Sequence, residues 1–194
     1  MLDEGDATTD AVFLSLLPLS HSYEHTAGMH LPFQIAAEVW YCEGADKISA
    51  NLAEVKPTLM TAVPRLYEVL HDRIVKGVKA KGGLSEKLFF TAVRLGRKKA
   101  ENMPLSVRET LLDRLVEKLV RGKVRGRLGG RLKFFVSGGA PLNPDIGYFF
   151  LGLGVNILQG YGQTEASPLI SANRPKQIRI DTVDPVVGGV EVKL

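Results

Sequence analysis

Apolar residues come in two rhythms along this chain. Val12-Phe13-Leu14-Ser15-Leu16-Leu17 and Thr58-Leu59-Met60-Thr61-Ala62-Val63 are short, nearly continuous apolar runs, stopped at once by Pro18 and Pro64. Runs of that length suit strands buried on both faces of a parallel sheet. Between them, Glu24 to Glu38 predicts a helix whose course Gly28 and Pro32 disturb, Val39 to Cys42 a short strand closed by Glu43-Gly44, and Ile48 to Val55 a second helix. Proline is pre-set for a first helical turn, so a helix should start at Pro64. Strand and helix alternate, the pattern of a parallel sheet with crossover helices.

From Pro64 the rhythm is helical only. Leu66, Val69, Leu70, Ile74 and Val78 share one face of a first helix, and Leu88, Phe89, Ala92 and Val93 one face of a second. A third opens on Ser106 and Glu109, spaced as a capping box, with Val107, Leu111, Leu112, Leu115, Val116, Leu119 and Val120 at helical intervals behind them. Gly122 sits where this helix is expected to stop, and Lys81-Gly82-Gly83 and Gly96 to Pro104 read as loops. The alternation resumes with a strand from Leu132 to Val136, running into Ser137-Gly138-Gly139-Ala140-Pro141. Asn143 then caps a helix from Pro144 that should end near Gly152 or Gly154. Val155 to Leu158 is the next strand, running into Gln159-Gly160-Tyr161-Gly162-Gln163-Thr164-Glu165, and Gly188 to Leu194 reads as a last one. The expectation is an α/β fold, a mostly parallel sheet with flanking helices and a basic helical excursion. Residues 1–194 form one α/β subdomain, with the excursion at about 64–131.

Composition narrows the class. The chain has 194 residues, 45% hydrophobic and 24% charged, with a single cysteine at Cys42. That is an ordinary globular makeup with no internal disulfide framework. Apolar runs such as Ala11 to Leu17 fall far short of the ~18 residues of a membrane-spanning helix. No basic segment precedes an apolar one as in a signal peptide, so a reducing, cytoplasmic setting is expected.

Charge is distributed unevenly. Residues 65–133 hold 19 Lys and Arg against 7 Asp and Glu, a balance of +12, while the remainder holds 6 against 14, a balance of −8. Such a block is either a solvated helical surface or the face for an anionic neighbour: phosphate, membrane or nucleic acid. Only Tyr67, Phe89 and Phe90 lie among these charges, so no aromatic-interleaved RNA motif accompanies them. Peripheral contact with an anionic membrane is the version to test first.

Two strands are thus expected to end in glycine-rich turns, and in open parallel sheets ligands bind beyond the carboxyl ends of strands. Gly160-Tyr161-Gly162-Gln163-Thr164-Glu165 offers a flat aromatic, pliable backbone, a hydroxyl and a carboxylate. A nucleotide needs a stacking face, hydrogen bonds for phosphate oxygens and a hard oxygen ligand for Mg2+. Glu165 stands where the third glycine of a dinucleotide fingerprint would be, and no G-K-[ST] follows as in a Walker loop. The competing reading is a tight turn with an exposed tyrosine. A second chemistry is possible at His21-Ser22-Tyr23-Glu24-His25, which fits the H-x-x-E-H pattern of a zinc metallohydrolase with Glu24 as base. That site requires a helix and a third ligand, and here the pattern directly follows Pro18 at a strand end. His30 and His71 have no partner pattern and read as surface or half-buried residues, and Trp40 and Cys42 read as core.

Tyr161-Gly162-Gln163-Thr164-Glu165, preceded by Ser137-Gly138-Gly139-Ala140-Pro141-Leu142, resembles the adenylate-forming acyl-CoA synthetases, the AMP-binding superfamily. Leu17-Pro18-Leu19-Ser20-His21-Ser22-Tyr23-Glu24, Lys56-Pro57-Thr58-Leu59 and Val63-Pro64-Arg65-Leu66-Tyr67-Glu68 resemble its long-chain fatty acid branch. The resemblance implies ATP-dependent activation of a long-chain fatty acid through acyl-adenylate to acyl-CoA, with ATP, Mg2+ and CoA taking part. It implies that Tyr161 stacks on adenine, that Thr164 meets ATP phosphate and that Glu165 ligates Mg2+. Backbone of Gly138, Gly139, Ala140 and Pro141 would line the adenine edge, Gly160 and Gly162 would flank the tyrosine, and His21 would lie near the acyl carboxylate and the α-phosphate. Cations and fixed dipoles are needed there because the attack brings anion to anion.

The sequence also departs from that pattern. No Ser/Thr/Gly-rich phosphate loop ending in Pro-Lys is present, nor the ribose-binding aspartate, the hinge or the small domain with its adenylation lysine. Asp184 and Gly188 stand where the family usually has Gly and Pro. The expectation is a central piece of a larger enzyme, inactive alone. The face meant for the missing subdomains should be apolar and prone to self-association.

Overall fold

The computed structural model describes residues 10–183 and 185–193; expectations placed on residues 1–9, Asp184 and Leu194 lie outside them. Strands β1 (Val12–Ser15), β2 (Glu38–Tyr41), β3 (Leu59–Ala62), β4 (Phe134–Ser137), β5 (Ile157–Gly162) and β6 (Leu169–Ala172) form one sheet in the order β2-β1-β3-β4-β5-β6. The first five are parallel and β6 runs antiparallel to β5. The alternation of strand and helix therefore does produce a mostly parallel sheet. Sequence pattern alone did not reveal β6, a short edge strand whose apolar run, Leu169-Ile170, is only two residues long beside Pro168.

Successive residues of each strand feed two cores. Leu14, Met60, Phe135 and Ile157 point to the larger one, which is covered by α3 (Ile48–Val55), α4 (Pro64–Lys81), α5 (Gly83–Ala100) and α8 (Pro144–Gly152). Phe13 and Leu59 point the other way, with Phe134 and Val136 half-buried beside them. That face is covered by one helical segment, residues 22–34: α1 (Ser22–Glu24), a π-helical stretch (His25–His30) and α2 (Leu31–Gln34). Pro32 cannot donate a backbone hydrogen bond, and the widened π turn directly before it accommodates that loss. Tyr67 of α4, fully buried, anchors the larger core edge-on to Phe135 at 5.5 Å and Phe150 at 6.0 Å. Each such ring pair adds roughly 0.5–1.5 kcal/mol beyond the area it buries.

Between β3 and β4 stand α4, α5, α6 (Val107–Val116), a π stretch (Glu117–Arg121) and α7 (Gly122–Arg127). Pro64 opens α4, and Ser106 and Glu109 form the capping box of α6 as their spacing predicts. Three expectations are corrected here. Gly96 does not begin a loop: α5 continues to Ala100, and a methyl group at Gly96 would overlap the backbone of Gly152, so this glycine permits α5 and α8 to cross closely. Gly122 does not stop its helix; it stays helical at φ −57° because the preceding π stretch turns Arg121 inward, where it binds α5 and α8. Of the apolar positions on α6 and its continuation, only Val116 and Val120 are buried. Helical periodicity identifies an amphipathic helix without saying which face meets protein.

The end of the chain departs as well. Gly160 to Gly162 are strand, not turn, because β6 pairs with them and a bulge falls at Tyr161/Gly162. The described residues from Gly188 onward form turns and irregular backbone rather than a strand. Trp40 is 47% exposed on the edge strand β2, its indole N–H donating to Glu38 at 2.7 Å, so it is not a core residue.

Candidate functional site

Parallel strands end together, so the turns after β1, β4 and β5 meet at one end of the sheet. A cavity of about 390 Å³ lies there. Its wall includes His21, Gly138, Gly139, Gly160, Tyr161, Gly162 and Thr164, which the sequence motifs had singled out from three separate stretches. Ala140, Pro141 and Glu165 are exposed next to it and not part of the wall.

Each turn is held by identifiable bonds. The Gly138 N–H donates to Ala62 at 3.2 Å, and Gly139 takes φ +83°, a conformation that a side chain would strain. A methyl group on Gly138 would press on the Tyr23 ring at 3.1 Å, and one on Gly162 would overlap the Pro168 carbonyl. After β5 the chain makes a one-turn 3-10 helix, Thr164–Ala166. Ser22 and Thr164 hydroxyls lie 3.2 Å apart, which joins the histidine turn to the threonine turn across the cavity. Tyr161 is 44% exposed, its hydroxyl accepting from Gln163 at 3.0 Å, so the ring remains available for stacking.

His21 caps α1: its Nδ1 accepts the Tyr23 N–H at 3.2 Å. With Nδ1 accepting, the neutral ring carries its proton on Nε2 and offers a donor. Glu24 behaves differently. It is completely buried, accepting from Ser15 Oγ and Thr61 Oγ1, both at 2.6 Å. Burial raises its pKa against those hydrogen bonds, which lower it. Gly28, one turn on, leaves space for this carboxylate. Glu24 thus ties the turn after β1 to β3 and cannot serve as base beside His21 and His25, both of which are exposed. Among the described residues no cluster of three or more potential metal ligands forms, so the H-x-x-E-H spacing does not assemble a zinc site.

Sequence reasoning missed most of the second wall. Tyr23, Ala27 and Leu31, with Thr26, His30 and Gln34, line the cavity from the helical segment, and Leu169 and Ala172 from β6. Their four-residue spacing was the available signal, obscured by Gly28 and Pro32. Tyr23 also donates to the Val136 carbonyl at 2.9 Å, and burial pushes its hydroxyl pKa well up. A further missed group is Gln159, buried below the motif. Its side-chain carbonyl accepts from the Leu142 N–H at 3.3 Å, its amide donates to Ile180, and its own N–H donates to Asn173.

A parallel α/β sheet whose strand ends carry glycine-rich turns around one cavity has the form of a ligand site at the carboxyl ends of its strands. The family model described as AMP-binding enzyme matches residues 1–194, and the chain belongs to that family. It is 35% identical over 162 residues to long chain acyl-CoA synthetase 6, peroxisomal, of Arabidopsis thaliana, covering 82% of this chain and 22% of that protein. It is 34% identical over 167 residues to the human long-chain-fatty-acid–CoA ligase ACSBG2, covering 79% of this chain and 24% of that one. The chain therefore spans about a quarter of the length of these curated relatives. Among solved structures, the anthranilate CoA ligase AuaEII in complex with anthranoyl-AMP superposes with a TM-score of 0.59 at 20% identity, over 96% of this chain and 28% of the other. A long-chain-fatty-acid-CoA ligase (FadD1) from Archaeoglobus fulgidus gives 0.54 at 19%, over 91% and 28%.

Proposed function

We propose that this chain supplies the nucleotide-gripping face, and the start of the acyl pocket, of a ligase that activates a long-chain fatty acid with ATP and passes it to CoA. One observation carries the reading: a single cavity at the carboxyl end of the sheet joins the His21, Gly138–Gly139 and Gly160–Thr164 turns to a wall containing Ala27, Leu31, Val136 and Leu169. Polar backbone and hydroxyls at one side suit adenine and phosphate, and the apolar side suits the first carbons of an acyl chain. The family description, AMP-binding enzyme, supports the first half, and the relatives' names support the second.

In the reaction, a carboxylate oxygen bonds to the α-phosphorus and the bond to pyrophosphate breaks; the CoA thiol later displaces AMP. Tyr161 stacks on adenine, while backbone of Gly138 and Gly139 lines its edge, with Ala140 and Pro141 next to them outside the wall. The Thr164 hydroxyl donates to phosphate. His21, its Nδ1 occupied by the Tyr23 N–H, presents Nε2–H to the oxygens that gather charge. Glu165, exposed and outside every ion pair among the described residues, fits Mg2+, which takes one or two carboxylates and completes its shell with phosphate oxygens and water. Bound there, Mg2+ would offset the negative charge on the phosphates.

The test uses the full-length parent enzyme. Glu165→Gln keeps the size and removes the charge, so the adenylation rate should fall on the order of a hundredfold. Tyr161→Ala should instead raise the apparent ATP constant, since stacking acts on ground and transition states alike. A wild-type adenylation rate for Glu165→Gln at saturating Mg2+ and ATP would overturn the assignment. The 194-residue chain alone, which contains no Ser/Thr/Gly-rich loop ending in Pro-Lys, should give no ATP–pyrophosphate exchange.

A further inference from the structure

Charge on α6 and the π stretch behind it is sorted by face. All three acids are ion-paired to the neighbouring helices or to the helix's own continuation; Glu109 and Asp113 turn inward, and Glu117 is 45% exposed. Glu109 meets Arg94 at 3.0 Å and Lys98 at 2.7 Å; Asp113 meets Lys99 at 3.0 Å and Arg121 at 2.7 Å; Glu117 meets Arg121 at 3.2 Å and Arg125 at 2.5 Å. The opposite face carries Val107, Leu111, Leu115 and Leu119 at four-residue spacing, exposed by 80%, 62%, 47% and 40%. Leu112, 40% exposed, widens the stripe. Arg108, Arg114 and Lys118 are exposed within and beside it, and among the described residues none of them is ion-paired. The outward face is thus apolar and cationic with no free carboxylate.

We propose that this face of α6 docks on an anionic lipid surface. The leucines would enter the boundary between headgroups and acyl chains, while Arg108, Arg114 and Lys118 reach up to phosphate on their long apolar stems. Charge complementarity selects this occupant. A protein partner or another segment of a longer chain would have to bury the stripe and also supply carboxylates to three unpaired cations. A leaflet with acidic headgroups offers apolar depth and negative charge in one plane. The inference uses no residue of the nucleotide cavity and stands whatever that cavity binds.

The experiment sediments the 194-residue chain with phosphatidylcholine vesicles containing or lacking phosphatidylserine. Binding is expected to the acidic vesicles at low salt and to weaken as salt rises. The double variants Leu111→Asp with Leu115→Asp, and Arg114→Glu with Lys118→Glu, should each bind at least about tenfold more weakly, with circular dichroism melting unchanged because these side chains are exposed. Since Trp40 is the chain's single tryptophan, a Trp40→Phe, Leu115→Trp variant gives an independent reading: its fluorescence should shift to the blue with acidic vesicles only. Absence of binding at low salt, or undiminished binding by the Leu111→Asp, Leu115→Asp variant, overturns the proposal. So does a lipid-free dimer, or RNA binding tighter than vesicle binding, that the same substitutions abolish.

Discussion

At the carboxyl end of the sheet, neighbouring turns are joined through hydroxyls, amides and backbone: Ser22 to Thr164, Tyr23 and Tyr67 to the Val136 carbonyl, Gln159 to Leu142 and Asn173. Across α5 to α7 the corresponding joints are ionic, from Arg94, Lys98 and Lys99 to Glu109 and Asp113, and from Arg121 and Arg125 to Glu117. The sheet end contributes one buried carboxylate, Glu24, and places it in the strands below the cavity. The difference has a physical basis. On the proposed reading of the cavity as a nucleotide site, neutral donors suit an anionic ligand without needing a counter-ion of their own, whereas helices on the surface can leave ion pairs half in water at little desolvation cost.

The comparison is tested most severely at Arg121, where the ionic half reaches the interior. This guanidinium is 3% exposed, donating to the Gly152 and Ala92 carbonyls at 2.8 and 2.9 Å while facing Asp113 and Glu117. Arg121→Met leaves Asp113 without its closest cation and frees two carbonyls. A loss of roughly 3–5 kcal/mol is expected in urea denaturation. A loss below about 1 kcal/mol would mean that α5, α6 and α8 are held by apolar packing and that the ionic joints are incidental.

Glu24 is the next test, since it is the buried carboxylate on the neutral side. Glu24→Ala leaves the buried Ser15 and Thr61 hydroxyls without their acceptor, for an expected cost of roughly 2–3 kcal/mol. The pH dependence carries a definite sign. Burial raises the folded-state pKa above the ordinary 4.5, so the stabilisation is complete below that value and is lost as pH rises through the raised one. Glu24→Gln does not titrate, and its melting temperature relative to wild type should therefore climb over that interval. A constant difference from pH 4 to 8 would show that this carboxylate has an unshifted pKa.

How far these two regions were legible in the sequence differs for the same reasons. Buried strands announce themselves, so β1, β3 and β4 were placed within two or three residues, and the turn chemistry of Gly138 to Thr164 was visible as a motif. The opposite wall was not, because the π stretch breaks the 3.6-residue period that would have aligned Tyr23, Ala27 and Leu31. In the helices, glycine misled. Gly96 and Gly122 look like breaks by propensity, yet tertiary contact overrides it, through the crossing with Gly152 at one and the inward Arg121 at the other. The leucines of α6 were legible as a stripe and illegible as to side, since only the placement of Glu109, Asp113 and Glu117 decides which face turns in.

A smaller effect is expected where α6 begins. Ser106 accepts from the Glu109 N–H at 3.3 Å while the Glu109 carboxylate accepts from the Ser106 N–H at 3.1 Å. Ser106→Ala should cost about 1 kcal/mol. Lys98, the Ser106 N–H and Arg94 hold Glu109 down to about 2 from 4.5. Its contribution is present above 4.5 and lost as pH falls toward 2, so Glu109→Gln should melt lower than wild type at neutral pH and converge with it in acid. A gap that persists in acid would assign the effect to helix packing instead.

The smallest stability effect belongs to the residue on which the functional proposal leans most. Tyr161 is exposed, touches its own segment through Gln163, and fills no core. Tyr161→Ala should shift the unfolding free energy of the 194-residue chain by no more than about 0.5 kcal/mol, the range of surface substitutions remote from caps and cores. In the parent enzyme the same change should weaken apparent ATP binding. If the cavity were a structural void closed by the tyrosine, the variant would unfold at distinctly lower urea with ATP binding unaltered. Stability measured on the chain and ATP dependence measured on the parent therefore separate a ring kept free for a ligand from a ring kept for the fold.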